Sequence, residues 1–147
     1  ADNIIATDLS QETLDVAKEN AVLFHAKNID FKRHDFLKTD IHSKFDLVVS
    51  NPPYVGKNEL SGLQSEVQNY DPELALTDNA DGLTFYRRFA LVGKKILNPG
   101  GCLLLEFGDH GQAVSLQEIF TSEEFILQFH NDLQGDPRVA EIYLSPY

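Results

Sequence analysis

The 147-residue chain has a single cysteine, no methionine, and only 12 lysines and arginines against 23 aspartates and glutamates. One thiol cannot make an intrachain disulfide or a cysteine-based zinc site. Cys102 lies in the apolar run Cys102-Leu103-Leu104-Leu105, which predicts a buried, inert thiol in a reducing, cytoplasmic setting. The formal charge of −11 opposes the phosphate attraction that dominates nucleic-acid binding, so a nucleic-acid partner is disfavoured. No run of 18 apolar residues is present to span a membrane. His25, His34, His42, His110 and His130 show no ligand spacing, and no metal is expected. No Gly-x-Ser-x-Gly elbow or phosphate-binding P-loop occurs, which leaves serine hydrolase and phosphoryl-transfer readings without support. The chain opens at Ala1-Asp2-Asn3 with neither a start residue nor a signal peptide, and it reads as a piece of something longer.

The content that remains is that of an ordinary globular domain. Hydrophobic residues make up 42% and charged residues 24% of a length that suits one domain, expected to be monomeric. Ile4-Ile5-Ala6-Thr7 reads as a strand ending at Asp8, with Ser10 placed to cap a helix whose apolar stripe is Leu14, Ala17, Ala21 and Phe24. Residues 29–33 alternate as a second strand. Residues 45–50 form a near-continuous apolar run suited to a strand covered on both faces, and both runs are expected in one parallel sheet. The stretch 55–80 loses periodicity and is too long for an idle connection. Phe85, Phe89, Val92 and Ile96 then mark a helix, stopped by Asn98-Pro99-Gly100-Gly101. Residues 102–107 read as a buried strand and 112–120 as a helix. Residues 125–129 and 138–144 are joined by so short a connection that they must pair antiparallel. The fold class is therefore α/β, with a mostly parallel sheet ending in an antiparallel pair.

In such sheets ligands bind beyond the carboxyl ends of the strands, which singles out Asp8, Asp35-Phe36, Asn51-Pro52-Pro53-Tyr54 and Glu106-Phe107-Gly108. Composition alone would produce the tetrapeptide in fewer than about one in a thousand chains of this length. Pro52 and Pro53 fix φ and remove two backbone donors, leaving carbonyl oxygens in a rigid turn. The Asn51 side-chain oxygen adds an acceptor, and Tyr54 offers a flat face. Converging acceptors beside an aromatic plane suit a planar NH2 group. They let its nitrogen gain positive charge during attack on an electrophile, which is stabilisation specific to the transition state.

At these residues the sequence resembles the class I methyltransferases that use S-adenosylmethionine to methylate amide or exocyclic amino nitrogens. The succession Asp71-Pro72-Glu73-Leu74-Ala75-Leu76, Asp81-Gly82-Leu83-Thr84-Phe85-Tyr86-Arg87, Leu97-Asn98-Pro99-Gly100-Gly101, Glu106-Phe107-Gly108 and residues 132–139 resembles the HemK (PrmC) family, the glutamine methyltransferases of peptide release factors. The resemblance implies a Rossmann-like sheet and gives Asp8 the ribose hydroxyls of the cofactor. It sets Phe36, after Asp35, beside the adenine. It gives Asn51 contact with cofactor and acceptor amide, and makes Pro52, Pro53 and Tyr54 the rest of the substrate cradle. His110-Gly111 departs from the family pattern before Gln112. The family's first strand and glycine-rich loop are absent from these 147 residues, as is any N-terminal helical domain. The chain is thus expected to be the C-terminal portion of a catalytic domain, leaving open edges on the strands that end at Asp8 and Ser50.

Taken singly, Asp8 also reads as a turn or capping residue, Phe36 as a core aromatic, and the tetrapeptide as a rigid turn with a packed tyrosine. The implied activity is methylation of a release-factor glutamine amide. Its rivals are a glutamine methyltransferase of a ribosomal protein, an adenine amino-methyltransferase of nucleic acid, and a non-catalytic binding fragment.

Overall fold

The computed structural model describes residues 3–144, the side chains of 67–69 apart, and divides into two units, one up to Ile41 and one from His42. In the first unit, β1 (Ile4–Asp8) pairs in parallel with β2 (Ile29–Arg33), from Ile4 opposite Ile29 to Asp8 opposite Arg33. Helix α1 (Gln11–Leu23) makes the crossover. It starts where expected: Ser10 Oγ accepts from the Thr13 amide at 3.2 Å, and Asp8 Oδ1 accepts from the Ser10 amide at 2.7 Å. It ends as His25 turns to a positive φ of 57°. The anticipated stripe is buried only at Leu14; Ala17 and Ala21 are half-buried, while Phe24, at 76%, is exposed together with Val16, Val22 and Leu23. A two-stranded sheet with one helix has too little surface of its own to cover four large apolar side chains.

The second unit holds a four-stranded sheet in the order β3-β4-β6-β5. Strand β3 (Phe45–Ser50) runs parallel to β4 (Leu97–Glu106), whereas β6 (Pro137–Leu144) is antiparallel both to β4 and to β5 (Phe125–Asn131). Alternation sends Leu103, Leu105, Ala140 and Ile142 to one face, where all four are fully buried. That face is covered by α4 (Thr84–Ile96) and α5 (His110–Thr121), which contribute Tyr86, Phe89, Val92, Ile96, Leu116 and Phe120. Each such side chain contributes on the order of 1.5–3 kcal/mol. Gly93 of α4 makes room for the Phe125 ring, which meets Phe120 edge-on with centroids 5.7 Å apart.

Several expectations are corrected. Strands β2 and β3 lie in separate sheets, not in one; among the described residues β1 has only β2 as a neighbour and β3 only β4, so the strands ending at Asp8 and Ser50 show the open edges expected of them. Strand β3 is not covered on both faces: Leu47 is 50% and Val49 69% exposed. Cys102 is half-buried, pointing away from the face that α4 and α5 cover. Burial and the nearby Glu141 still push its thiol pKa up. Asn98-Pro99-Gly100-Gly101 follows the end of the helix as expected but already belongs to the next strand, which was expected only from Cys102. Strand β4 begins directly after Ile96, pairs Leu97 with Phe45, and resumes with Cys102 opposite Leu47, so the four residues form a bulge with Gly100 at φ 79°.

Residues 55–80 contain a 3₁₀ turn (Lys57–Gly62) and two short helices, α2 (Ser65–Tyr70) and α3 (Glu73–Leu76), closed by a parallel bridge between Val55 and Thr77. Pieces of four to six residues span less than two helical turns, too short to display a period in sequence. No helix among the described residues is long and apolar enough to cross a membrane.

Candidate active site

In the second unit the β3–β4 ladder ends with Ser50 opposite Leu105, and both candidate segments follow at once. On the β3 side, Asn51 is exposed and Pro52 buried, with Pro53 and Tyr54 half-buried. The Asn51 side chain makes no hydrogen bond among the described residues, so its amide remains available to a ligand. On the β4 side come Glu106, Phe107 and Gly108. The Pro52-Pro53 pair cannot donate, so the ladder cannot continue by backbone bonds. A side chain continues it instead: Gln112 Nε2 donates to the Tyr54 carbonyl at 2.6 Å, and Gln112 Oε1 accepts from the Gly108 amide at 2.8 Å.

The tyrosine corner is also packed from two directions by glycines. A Cβ on Gly108 would stand 3.1 Å from Tyr54 Cδ2, and Gly82, at φ 79°, lies directly against the Tyr54 carbonyl. Gly82 is set by Asp78, whose carboxylate accepts from the amides of Ala80, Gly82 and Thr84 at 2.8, 3.0 and 2.9 Å. Burial alone would raise the Asp78 pKa; the bonds from the Thr84 hydroxyl and these amides outweigh it and hold the carboxyl below its ordinary value. Beneath the corner, the buried Tyr86 hydroxyl donates to the Glu106 carbonyl at 2.7 Å. Burial pushes that phenol far above its usual pKa, with Tyr54, Glu106 and Asp78 adding to the shift, in keeping with its place as a donor to the Glu106 carbonyl.

The turn after β4 is held from its other side by Arg138, which donates to the carbonyls of Phe107 and Gly108 and is itself met by Asp132 Oδ2 at 3.4 Å. Asp132 orders its own turn by accepting from the amides of Gln134 and Asp136 at 2.8 and 3.1 Å. Between Gly108–Gly111 and Asp136–Arg138 lies an open cleft of about 290 Å³.

In the first unit, Asp8 and Asp35-Phe36 come together at the carboxyl end of the parallel pair, where the His34 amide donates to the Asp8 carbonyl at 2.9 Å. Asp8 Oδ1 is spent on Ser10, a local bond of the kind a turn residue makes, while Oδ2 carries no hydrogen bond among the described residues. Asp35 is occupied in its own turn: Oδ1 accepts from the Leu37 amide at 3.2 Å and Oδ2 meets Lys38 Nζ at 3.2 Å. Phe36 is half-buried. Sequence reasoning passed over Gln112, Asp78 and Arg138. The partners of Gln112 and Arg138 lie in other elements, and only the order Glu-x-Gly before a glutamine hinted at the first; Asp78 bonds within its own turn, to Ala80, Gly82 and Thr84.

Comparison with known proteins gives a consistent picture. A family model described as Eco57I restriction-modification methylase matches residues 2–105. The release factor glutamine methyltransferase of Fusobacterium nucleatum is 37% identical over 139 residues, 93% of this chain and 39% of that protein. A bifunctional methyltransferase of Rickettsia bellii is 37% identical over 143 residues, 96% of this chain and 26% of that protein. The chain thus spans two fifths or less of the length of these curated relatives. Among solved structures, the ribosomal protein L11 methylase of Lactobacillus delbrueckii superposes with a TM-score of 0.66 at 19% identity, over 99% of this chain and 59% of that one. A methyltransferase of Pyrococcus furiosus does so with 0.68 at 19%, over 95% and 61%. At such identities these two speak for the fold, the Rossmann-like α/β fold of class I methyltransferases. The chain belongs to the methylase family described as Eco57I restriction-modification methylase, and it is similar to curated release factor glutamine methyltransferases, the group its motifs resemble.

Proposed function

We propose that these residues form the acceptor-binding part of a protein methyltransferase, and that the whole protein methylates the side-chain amide nitrogen of a glutamine in a peptide release factor. The observation that carries the reading is the corner after β3: an exposed, unengaged Asn51 amide on a rigid, donor-free turn whose tyrosine is clamped by Gln112. The acceptor amide would give its two N–H bonds to Asn51 Oδ1 and the Pro52 carbonyl while its plane rests on Tyr54. That arrangement orients the nitrogen lone pair and favours the charge it gains during transfer.

The cofactor proposed is S-adenosylmethionine, which when bound supplies an electrophilic sulfonium methyl. The residues fit such a group chemically: Asp8 keeps Oδ2 free for ribose hydroxyls, bonds worth about 1.5–3 kcal/mol each for a charged acceptor. Phe36 is the residue proposed beside the adenine. Asp35, its carboxylate already engaged, would act by holding the turn that carries Phe36. That the chain is the C-terminal portion of a longer catalytic domain is supported by its coverage of relatives and by the edges of β1 and β3 that have no partner among the described residues.

A second reading is favoured by one finding, the description of the matching family as a restriction-modification methylase. An adenine amino group would suit the same corner, but the charge of −11 opposes a nucleic-acid acceptor. The test is to incubate the full-length protein and labelled S-adenosylmethionine with release factor, with ribosomal protein and with duplex DNA. Label on one release-factor glutamine, located by mass spectrometry, is the expected result; label on adenine alone overturns the proposal.

A further inference from the structure

We infer that Gln112 is a positioning residue, a side-chain rung that fixes the Tyr54 corner after the backbone ladder has run out; this rests on reading residues 51–54 as the acceptor site. The argument begins with what the two prolines remove. Beyond Ser50 opposite Leu105, neither Pro52 nor Pro53 has an N–H to reach across to the turn after β4. The Tyr54 carbonyl and the Gly108 amide are left facing a gap, and both are partly buried. A primary amide fits because it carries a donor and an acceptor on one planar head. Here the partners also dictate its orientation: an N–H can only donate and a carbonyl can only accept, so Oε1 must meet Gly108 and Nε2 must meet Tyr54.

The rung determines more than the position of a carbonyl. Gln112 Oε1 and the Tyr54 ring edge are both in tight contact with the space beside Gly108, at 3.2 Å and 3.1–3.2 Å from where a Cβ would be. Carbonyl, ring and glycine are thereby located together, and Gln112 sits on α5, a helix anchored in the core through Ala113 and Leu116. The stiffness of the helix is passed to the corner through one side chain.

The isosteric variant Gln112→Glu separates positioning from folding. A carboxylate still accepts from the Gly108 amide but sets an acceptor against the Tyr54 carbonyl. In the full-length protein we expect kcat to fall about 10²-fold, the cost of a misplacement near 1 Å. KM for S-adenosylmethionine should stay within about twofold, and hydrogen-exchange protection of the Gly108 amide should be retained. The carbonyl carbon resonance of Tyr54 should shift as its hydrogen bond is lost. Gln112→Ala should lower kcat at least as far and also release Gly108 to fast exchange. Wild-type kcat in Gln112→Glu overturns the inference, as does an unmoved Tyr54 carbonyl resonance. So does a loss of activity in Gln112→Glu that is accompanied by a loss of Gly108 protection, which would mark a structural role. The ratio of variant to wild type can be read with whichever acceptor is methylated, and the carbonyl resonance with none. A wrong acceptor class therefore fails separately from a wrong role for Gln112.

Discussion

Gly82 closes on Tyr54 so tightly that no Cβ fits between its Cα and the Tyr54 carbonyl oxygen. The approach also requires the left-handed backbone, φ 79°, that glycine alone adopts at little cost. Gly82→Ala should therefore lose at least about 1–2 kcal/mol of stability from backbone strain, before the clash is counted. It should also lower turnover by displacing the corner. Urea denaturation and steady-state kinetics on the full-length protein check both, and an unchanged Tyr54 environment in the variant would contradict the packing described.

Asn51 gives the opposite pattern. Its side chain is exposed and bonds to nothing among the described residues, so Asn51→Ala should change stability by no more than about 0.5 kcal/mol. If it holds the acceptor nitrogen, kcat should nevertheless fall about 10²- to 10³-fold, the cost of removing one preorganised polar contact. Near-normal turnover would remove its role. A glutamate in place of the acceptor glutamine should be rejected as well, because a carboxylate brings no N–H and leaves both acceptors unpaired.

Asp81 and Arg87 predict a pH dependence. Arg87 grips the Asp81 carboxylate with both terminal nitrogens, at 2.9 and 2.6 Å, and these bonds hold the Asp81 pKa down to about 2 from 3.8. A depressed carboxyl contributes stability that is complete above the unfolded value and is lost as pH falls through the folded one. The stability difference between wild type and Asp81→Asn should accordingly be level above pH 4 and shrink between pH 4 and about 2. Both partners are about half exposed, so the difference should be small and should diminish in high salt. Denaturation midpoints across that range provide the measurement.

Gly93 tests packing against propensity. Alanine is preferred over glycine inside a helix by about 1 kcal/mol, which taken alone predicts that Gly93→Ala stabilises α4. Its Cβ would stand 2.6 Å from Phe125 Cζ, and overpacking of this kind costs about 1–3 kcal/mol. We expect net destabilisation, relieved when Phe125→Leu is combined with it. Additive effects of the two substitutions in chemical denaturation would refute the contact.

What could be read from sequence was what is local. Strands β1, β2 and β3 lie where their short apolar or alternating runs, bounded by Asp, His and Asn, predict them, and Ser10 caps α1 as a serine in that place should. The Asn-Pro-Pro-Tyr turn follows β3 as expected. Illegible were relations between distant residues. Gln112 and Tyr54 are 58 positions apart, and nothing periodic announces their bond. The break between the two sheets was legible only through the resemblance, which placed an absent strand between those ending at Asp8 and Ser50; an apolar run by itself states that a strand wants neighbours without naming them. The exposure of Phe24 and Leu47 was missed because a hydrophobic pattern indicates a face suited to burial, and what covers that face is a property of the tertiary structure.

The bulge at Asn98–Gly101 gives the chain slack at one chosen place. Downstream, a slip of one residue between β3 and β4 would turn Leu103 and Leu105 outward and carry Glu106 and Gly108 out of line with the tyrosine corner. Four residues already looped out between two fixed pairings can absorb an insertion or deletion without passing it on. Length variation among related chains should therefore gather in this segment, and the span from Cys102 to Gln112 should keep a constant count, as a spacer whose reach has been set.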